Sequence, residues 1–148
     1  MGIHALLCLL AGLAAAESGI QPRVEVEEVV TAYTPANNGA GPMWCYGSTT
    51  IARRGEEVFV SAIETGKDVP PLCNTRWQLW HRTSAGWKLE QREKACRQRE
   101  PCPIGIFPTG PIFLSVNPSI RPPGTQYGPC RPLVLEFEQK DLAAGSKG

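Results

Sequence analysis

The sequence predicts an all-β chain made of repeated four-stranded antiparallel meanders, and three observations carry the prediction. The punctuation recurs: Cys45 and Cys102 lie 57 residues apart, and so do Cys73 and Cys130. Each of these intervals holds the same phrase, a turn glycine followed by an apolar strand ending in serine. It reads Gly55 then Val58-Phe59-Val60-Ser61, and again Gly110 then Ile112-Phe113-Leu114-Ser115, after which Trp77 and Trp80 match Val134 and Phe137 in spacing. Finally, 15 glycines and 14 prolines among 148 residues suit many short strands joined by turns better than long helices. A period of this size marks units that cannot bury both of their faces alone.

Taken in order, Val24-Glu25-Val26-Glu27 alternates apolar and charged side chains as a half-exposed strand does, and the pattern runs on through Val29-Val30 to Tyr33. Thr34 to Pro42 is Pro, Asn, Gly and Ala, which is loop. Thr49 to Arg53, a turn at Arg54-Gly55-Glu56, and Val58 to Glu64 form a first hairpin. A polar connection follows from Thr65 to Cys73. Arg76 to Arg82, a turn at Thr83-Ser84-Ala85-Gly86, and Trp87 to Gln91 form a second hairpin. Arg92 to Arg99 is charged and reads as a turn of helix or a surface loop. The pattern then restarts with Ile104 to Phe107, a turn at Pro108-Thr109-Gly110, Ile112 to Asn117, a long Pro/Gly connection and Leu133 to Glu138. No fourth strand follows, and Lys140 to Gly148 reads as a frayed tail.

Four-stranded meanders repeated along a chain are the blades of a β-propeller, which pack radially and cover one another's faces. The division expected is a signal peptide at 1–16, a linker and leading strand at 17–43, a first blade at 44–93, and a second, incomplete blade with its tail at 94–148. Two blades do not close a ring of roughly four to eight, so the expectation is an incomplete ring, the front of a longer protein or a truncated product. The alternative is a small β-sandwich.

The amino-terminal address is an apolar run from Ile3 to Leu13 followed by Ala14-Ala15-Ala16, the pattern of a cleaved secretory signal. No later stretch is long and apolar enough for a transmembrane helix, so a secreted or periplasmic location is expected. In an oxidising compartment Cys45, Cys73, Cys96, Cys102 and Cys130 read as disulfide formers, and the absence of a CxxC pair and of all but two histidines argues against zinc. No metal or other cofactor is expected. The repeat predicts Cys45 with Cys73 and Cys102 with Cys130. Each pair would sit two strands apart, roughly 9.5 Å, and the preceding loops would have to lean inward to reach the roughly 7 Å a disulfide allows. The competing pairing is Cys96 with Cys102. Fifteen basic against 14 acidic side chains, scattered rather than clustered, exclude a dedicated nucleic-acid binder.

Several phrases resemble a known family: Cys45-Tyr46-Gly47-Ser48-Thr49-Thr50-Ile51, Val58 to Thr65, Asn74-Thr75-Arg76-Trp77-Gln78-Leu79 and Arg99-Glu100-Pro101-Cys102-Pro103. They are similar to the N-terminal blades of secreted bacterial propellers of the BNR-repeat, sialidase-like superfamily, over residues 24 to 138. The family's Ser-x-Asp-x-Gly-x-Thr-Trp turn is absent, with Thr83-Ser84-Ala85-Gly86-Trp87 a degenerate relative. The resemblance implies a carbohydrate or glycoconjugate partner bound at the propeller mouth, with glycan recognition or glycoside hydrolysis as the function. A non-catalytic extracellular scaffold on the same blades is the alternative. Its remaining partners would be further blades of a longer chain or other copies of itself.

In a meander the loops entering the first strand and joining the second to the third share one end of the sheet. That end collects Trp44, Cys45, Tyr46, Glu64, Asn74 and Arg76 from the first repeat, and Glu100, Cys102, Asn117 and Arg131 from the second. Glu64 and Glu100 are candidates for the acid and base of glycoside hydrolysis, or for salt bridges with Arg76 and Arg99. Tyr46 is a candidate nucleophile of the sialidase type, or a packed ring with its hydroxyl satisfied. Arg76 and Arg131 suit an acidic sugar held bidentately, or pin loops. Asn74 and Asn117 are candidate ligand contacts and Trp44 a stacking platform. Trp77, Trp80 and Trp87, on strands, read as core.

Overall fold

The computed structural model describes residues 20–34, 41–45, 47–64, 75–95 and 97–147. They form two open antiparallel sheets and no α-helix. The first sheet runs β1 (Ile51–Arg54), β2 (Glu57–Glu64), β3 (Arg76–Thr83) and β4 (Gly86–Arg92) in sequence order. The second holds β5 (Ile104–Ile106), β6 (Ile112–Val116) and β7 (Leu133–Phe137), and a 3-10 helix (Gln139–Ala144) follows. The predicted signal, Tyr46, Cys73, Asn74 and Cys96 lie outside the described residues.

Turn chemistry places the hairpins where the sequence puts them. Gly55, at φ 59°, opens the two-residue turn between β1 and β2, a conformation that side chains with a Cβ avoid. In the β3–β4 turn the Thr83 hydroxyl donates to the Gly86 carbonyl at 2.8 Å and accepts from the Ala85 amide at 3.2 Å, closing the loop from inside.

Pleating divides the first sheet into two faces. Phe59 and Leu79 point toward the second sheet with Trp77, where they meet Ile104, Ile112, Leu114, Val116 and Phe137 in one buried cluster. Trp77 and Phe137 meet edge to face with ring centroids 5.9 Å apart. Burying side chains of this size stabilises by about 1.5–3 kcal/mol each. Two polar seams fix the sheets' relative position. Along β1 the Ile104 amide donates to the Thr49 carbonyl at 2.8 Å, and Arg54 donates to the carbonyls of Phe107 and Gly110. Farther out, Gln98 and Thr75 exchange both backbone bonds, at 2.8 and 3.0 Å, and the Thr75 hydroxyl adds a third contact.

The opposite face of the first sheet is handled differently. Ile51, Val58, Val60, Arg82 and Trp87 lie there, facing residues 23–30 across a shared cleft. Glu28 latches this segment, accepting from Arg82 at 2.7 and 2.6 Å and from the Trp87 indole at 3.0 Å. The leading strand expected from the Val-Glu alternation is therefore a correction: residues 24–33 form no strand. They run over a face, where no ladder edge is available, so the alternation serves side-chain contacts instead.

Of the two readings of residues 92–99, the described ones, 92–95 and 97–99, form no helix: β4 continues to Arg92 and Gln98 is bridged to Thr75. Two further expectations change. The tail is not simply frayed: Leu142 is buried in the common core, its carbonyl accepts from Gln91 at 2.7 Å, and Lys147 pairs with Glu136 on the free edge of β7. Of the strand tryptophans, Trp77 belongs to the core between the sheets, whereas Trp80 and Trp87 are half-buried and face the other way. Trp80 is three positions after Trp77, and in a strand an odd offset means opposite faces.

Candidate functional site

Because the strands alternate in direction, the starts of β1, β3, β5 and β7 and the finishes of β2, β4 and β6 fall at matching ends of the two sheets. On the second sheet this end contains a cavity of about 180 Å³. Its walls are Ser48 from the loop before β1, the stretch Arg99 to Pro103 before β5, Ser115 and Asn117 at the finish of β6, and Cys130 before β7. Backbone bonds hold these loops in place: Ser115 donates to Pro103 at 2.9 Å and Arg131 to Pro118 at 2.9 Å. The Asn117 amide donates to the Gln98 side-chain oxygen at 3.1 Å, so the buried glutamine that joins the sheets also sets the cavity's lip.

Of the candidate residues, Glu100, Asn117, Cys102 and Cys130 are brought together at this cavity. Glu100 is exposed and stands 3.7 Å from Arg99, whose guanidinium lies 5.6 Å from the Tyr127 ring centroid. Asn117 is exposed, with its side chain at the rim. Arg131 is exposed and lies outside the lining. Trp44 is half-buried in the loop that leads to Ser48, and its indole nitrogen is buried without a hydrogen-bond partner.

Glu64 and Arg76 form a separate cluster at the same end of the first sheet. Opposed in the β2–β3 register, they are joined at 2.7 Å, and the second Glu64 oxygen accepts from Gln78 and Arg92, each at 3.3 Å. Both carboxylate oxygens are thus committed within the protein. The salt-bridge reading of Glu64 with Arg76 describes this geometry.

The disulfide expectations are corrected. Cys45, Cys102 and Cys130 are free thiols, so neither the Cys102–Cys130 bridge nor the bridge from Cys45 to Cys73 is formed, and the Cys96–Cys102 alternative is not formed either. Cys102 is buried, with its thiol 3.7 Å from the Gln98 side-chain oxygen and from the Glu100 carbonyl, while the Cys130 thiol turns to the Gly128 carbonyl. Burial, helped by the nearby Glu93 charge, pushes the Cys102 thiol up to about 12, so it stays protonated. Cys45 meets the Ser48 hydroxyl at 3.5 Å.

One titratable group escaped the reading of the sequence. Glu93 follows β4 and borders a second cleft, of about 450 Å³, floored by Trp77, Val116 and Leu135. Burial raises its pKa to about 7, against the opposing pull of the Gln98 amide, which donates to one oxygen at 3.2 Å, and of Arg97. Its other oxygen is buried without a hydrogen-bond partner. Within the charged run 92–99 nothing marks Glu93 as the one drawn inward, because its burial is made by the second sheet. Among the described residues no group of three His, Cys, Asp or Glu side chains is placed to hold a metal ion, and no helix is long and apolar enough to cross a membrane.

Comparison with family models, with curated proteins and with solved structures gives no match.

Proposed function

We propose that the two sheets are neighbouring blades of a secreted, sialidase-like propeller and that the cavity at Glu100 and Asn117 is a glycan-recognition site at its mouth. The observation that supports this reading most directly is the composition of that cavity. Two hydroxyls, an amide and a carboxylate, from Ser48, Ser115, Asn117 and Glu100, converge from three separate segments of the chain on about 180 Å³. Alternating donors and acceptors of this kind match the vicinal hydroxyls of a sugar. The volume is below the roughly 300–1,000 Å³ of drug-sized pockets, which suits one ring rather than an oligosaccharide. Face-to-face stacking of the sheets, with β1 seamed to β5, supports the blade assignment.

Recognition is favoured over hydrolysis because Glu64, the intended partner of Glu100, is held by two arginines and a glutamine. A glycosidase needs one carboxyl free to give a proton and another free to attack or to activate water. The test is a glycan array followed by titration calorimetry on the full chain. Glu100→Ala should weaken binding about tenfold or more, the loss of roughly one charge-assisted hydrogen bond, and Asn117→Ala by about three- to tenfold, the loss of a neutral one. Retained binding in both variants would refute the cavity as the site, and turnover of chromogenic glycosides would move the assignment from recognition to hydrolysis.

A further inference from the structure

The protein contains one completed sheet-on-sheet interface and the two outer surfaces that would repeat it. Inside the chain, one face of the first sheet meets the inner face of the second through Phe59, Trp77, Leu79, Leu114 and Phe137. On the outer face of the second sheet, pleating turns Phe113 and Ser115 of β6 outward with Val134 and Glu136 of β7, to which they are paired. Val134 is 59% exposed, and Phe107, which packs edge to face on Phe113 at 5.6 Å, is 60% exposed. The outer face of the first sheet is also apolar, through Ile51, Val58 and Val60, with Arg53 and Arg82 among them.

The segment over that second surface is a poor filler. Val24, Val26 and Val29 are 78%, 59% and 82% exposed, and a cleft of about 670 Å³ remains between segment and sheet. The polar contacts that hold the cover are those of Glu28 to Arg82 and Trp87, and beneath it Val60 is buried while Ile51 stays 56% exposed. What the latch satisfies is a cation on an apolar sheet face. The outer face of the second sheet offers the complement, a carboxylate at Glu136 set among Phe113 and Val134.

We propose that these two outer faces are the halves of a head-to-tail interface between copies of this chain, and that residues 23–30 are a removable cover over one half. On docking, Glu28 gives up Arg82, the cover lifts, and Val134, Phe113 and Glu136 of a second copy take its place. The contact is heterologous, since each copy uses a different face, so it propagates or closes into a ring. Because the interior already stacks two sheets by the same rule, the expected product is a closed oligomer of discrete size.

The experiment is sedimentation velocity on the full chain over a concentration series reaching about 100 μM, an upper bound that detects dissociation constants weaker than micromolar. Wild type should associate with rising concentration, and Glu28→Gln, which weakens the latch, should associate several-fold more tightly. Ile51→Lys and Val134→Glu each spoil one face at a position more than half exposed, and each alone should be monomeric. Mixed one to one, the two variants retain one good face apiece and should form a discrete heterodimer. Wild type and Glu28→Gln both monomeric throughout, or association of either face variant alone at the wild-type level, would overturn the proposal. So would failure of the mixture to pair. Glycan titration of Ile51→Lys reads the mouth separately, because Ile51 lies on the first sheet and does not line the cavity, whereas Val134 is the register partner of Ser115 in its lining.

Discussion

The two sheets share a pattern of turns but spend their polar groups differently. In the first, the charged side chains at the loop end are tied to one another: Glu64 holds Arg76, Gln78 and Arg92, and Gln78 also receives the Trp80 indole at 2.9 Å. In the second, the corresponding end has Glu100 and Asn117 exposed around a cavity whose loops are fixed by backbone bonds. Fixing a loop through its backbone frees its side chains for a ligand, whereas fixing it through an ion network uses them up. Under the proposed function the first sheet is the frame and the second the reader.

The largest test asks whether frame and reader fold as one unit. Phe137 is fully buried and touches Trp77 across the interface, so Phe137→Ala should cost about 3–5 kcal/mol. Urea unfolding followed by tryptophan fluorescence, which reports mainly the first sheet, and by far-UV circular dichroism should shift together. Separate transitions would break the comparison by making the sheets independent. Next in size is Gln98→Ala. It removes the acceptor of the Asn117 amide and the donor to Glu93, and the loss of these buried partners should cost about 2–3 kcal/mol. It should also loosen the cavity, so glycan affinity should fall along with stability.

Much of this was legible in the residues. The turn glycines and the apolar runs located all seven strands to within two residues, because hairpin chemistry and period-two alternation are local properties. The repeat also placed Glu100, Asn117, Cys102 and Cys130 at one end. What could not be read was set by contacts between distant segments. Residues 24–33 carry a strand pattern but lie across a face, and only the position of Arg82 decides that. Leu142 looked like tail until β4 gave it a surface and Gln91 a bond. The cysteine spacing put Cys102 and Cys130 at one end of the sheet, where both line the cavity, yet Cys45, Cys102 and Cys130 remain free thiols.

A smaller effect separates the two clefts. Glu93 has its pKa raised to about 7 in the folded protein by burial, so the folded state holds a proton that the unfolded chain releases near pH 4.5. Stability should therefore be greatest below about pH 4.5 as far as this group is concerned, and decline as pH rises to about 7. Since the carboxyl is only partly buried, the contribution is discounted to about 1–2 kcal/mol. Glu93→Gln mimics the protonated form and should raise the melting temperature at pH 8 by a few degrees while flattening its dependence between pH 4.5 and 7. An unchanged pH profile would show that Glu93 is solvated in the native state.

The smallest expected change is the one that most sharpens the contrast between frame and reader. Glu64→Ala leaves Arg76 and Arg92 facing each other at the end of the first sheet without their shared carboxylate. All three side chains are 28–45% exposed, so water takes over part of the lost interaction and the cost should be about 0.5–1 kcal/mol. Raising the salt concentration should narrow the gap between variant and wild type, because the remaining term is repulsion between two partly exposed cations. If the first sheet is only a frame, glycan affinity in Glu64→Ala should stay within about twofold of wild type once folding is complete, a difference under 0.5 kcal/mol. If affinity instead rises for acidic glycans, the freed Arg76 and Arg92 are reading the ligand, and the mouth extends across both sheets. An abolished affinity with intact stability would assign Glu64 itself to the ligand and restore its candidacy as a catalytic partner of Glu100.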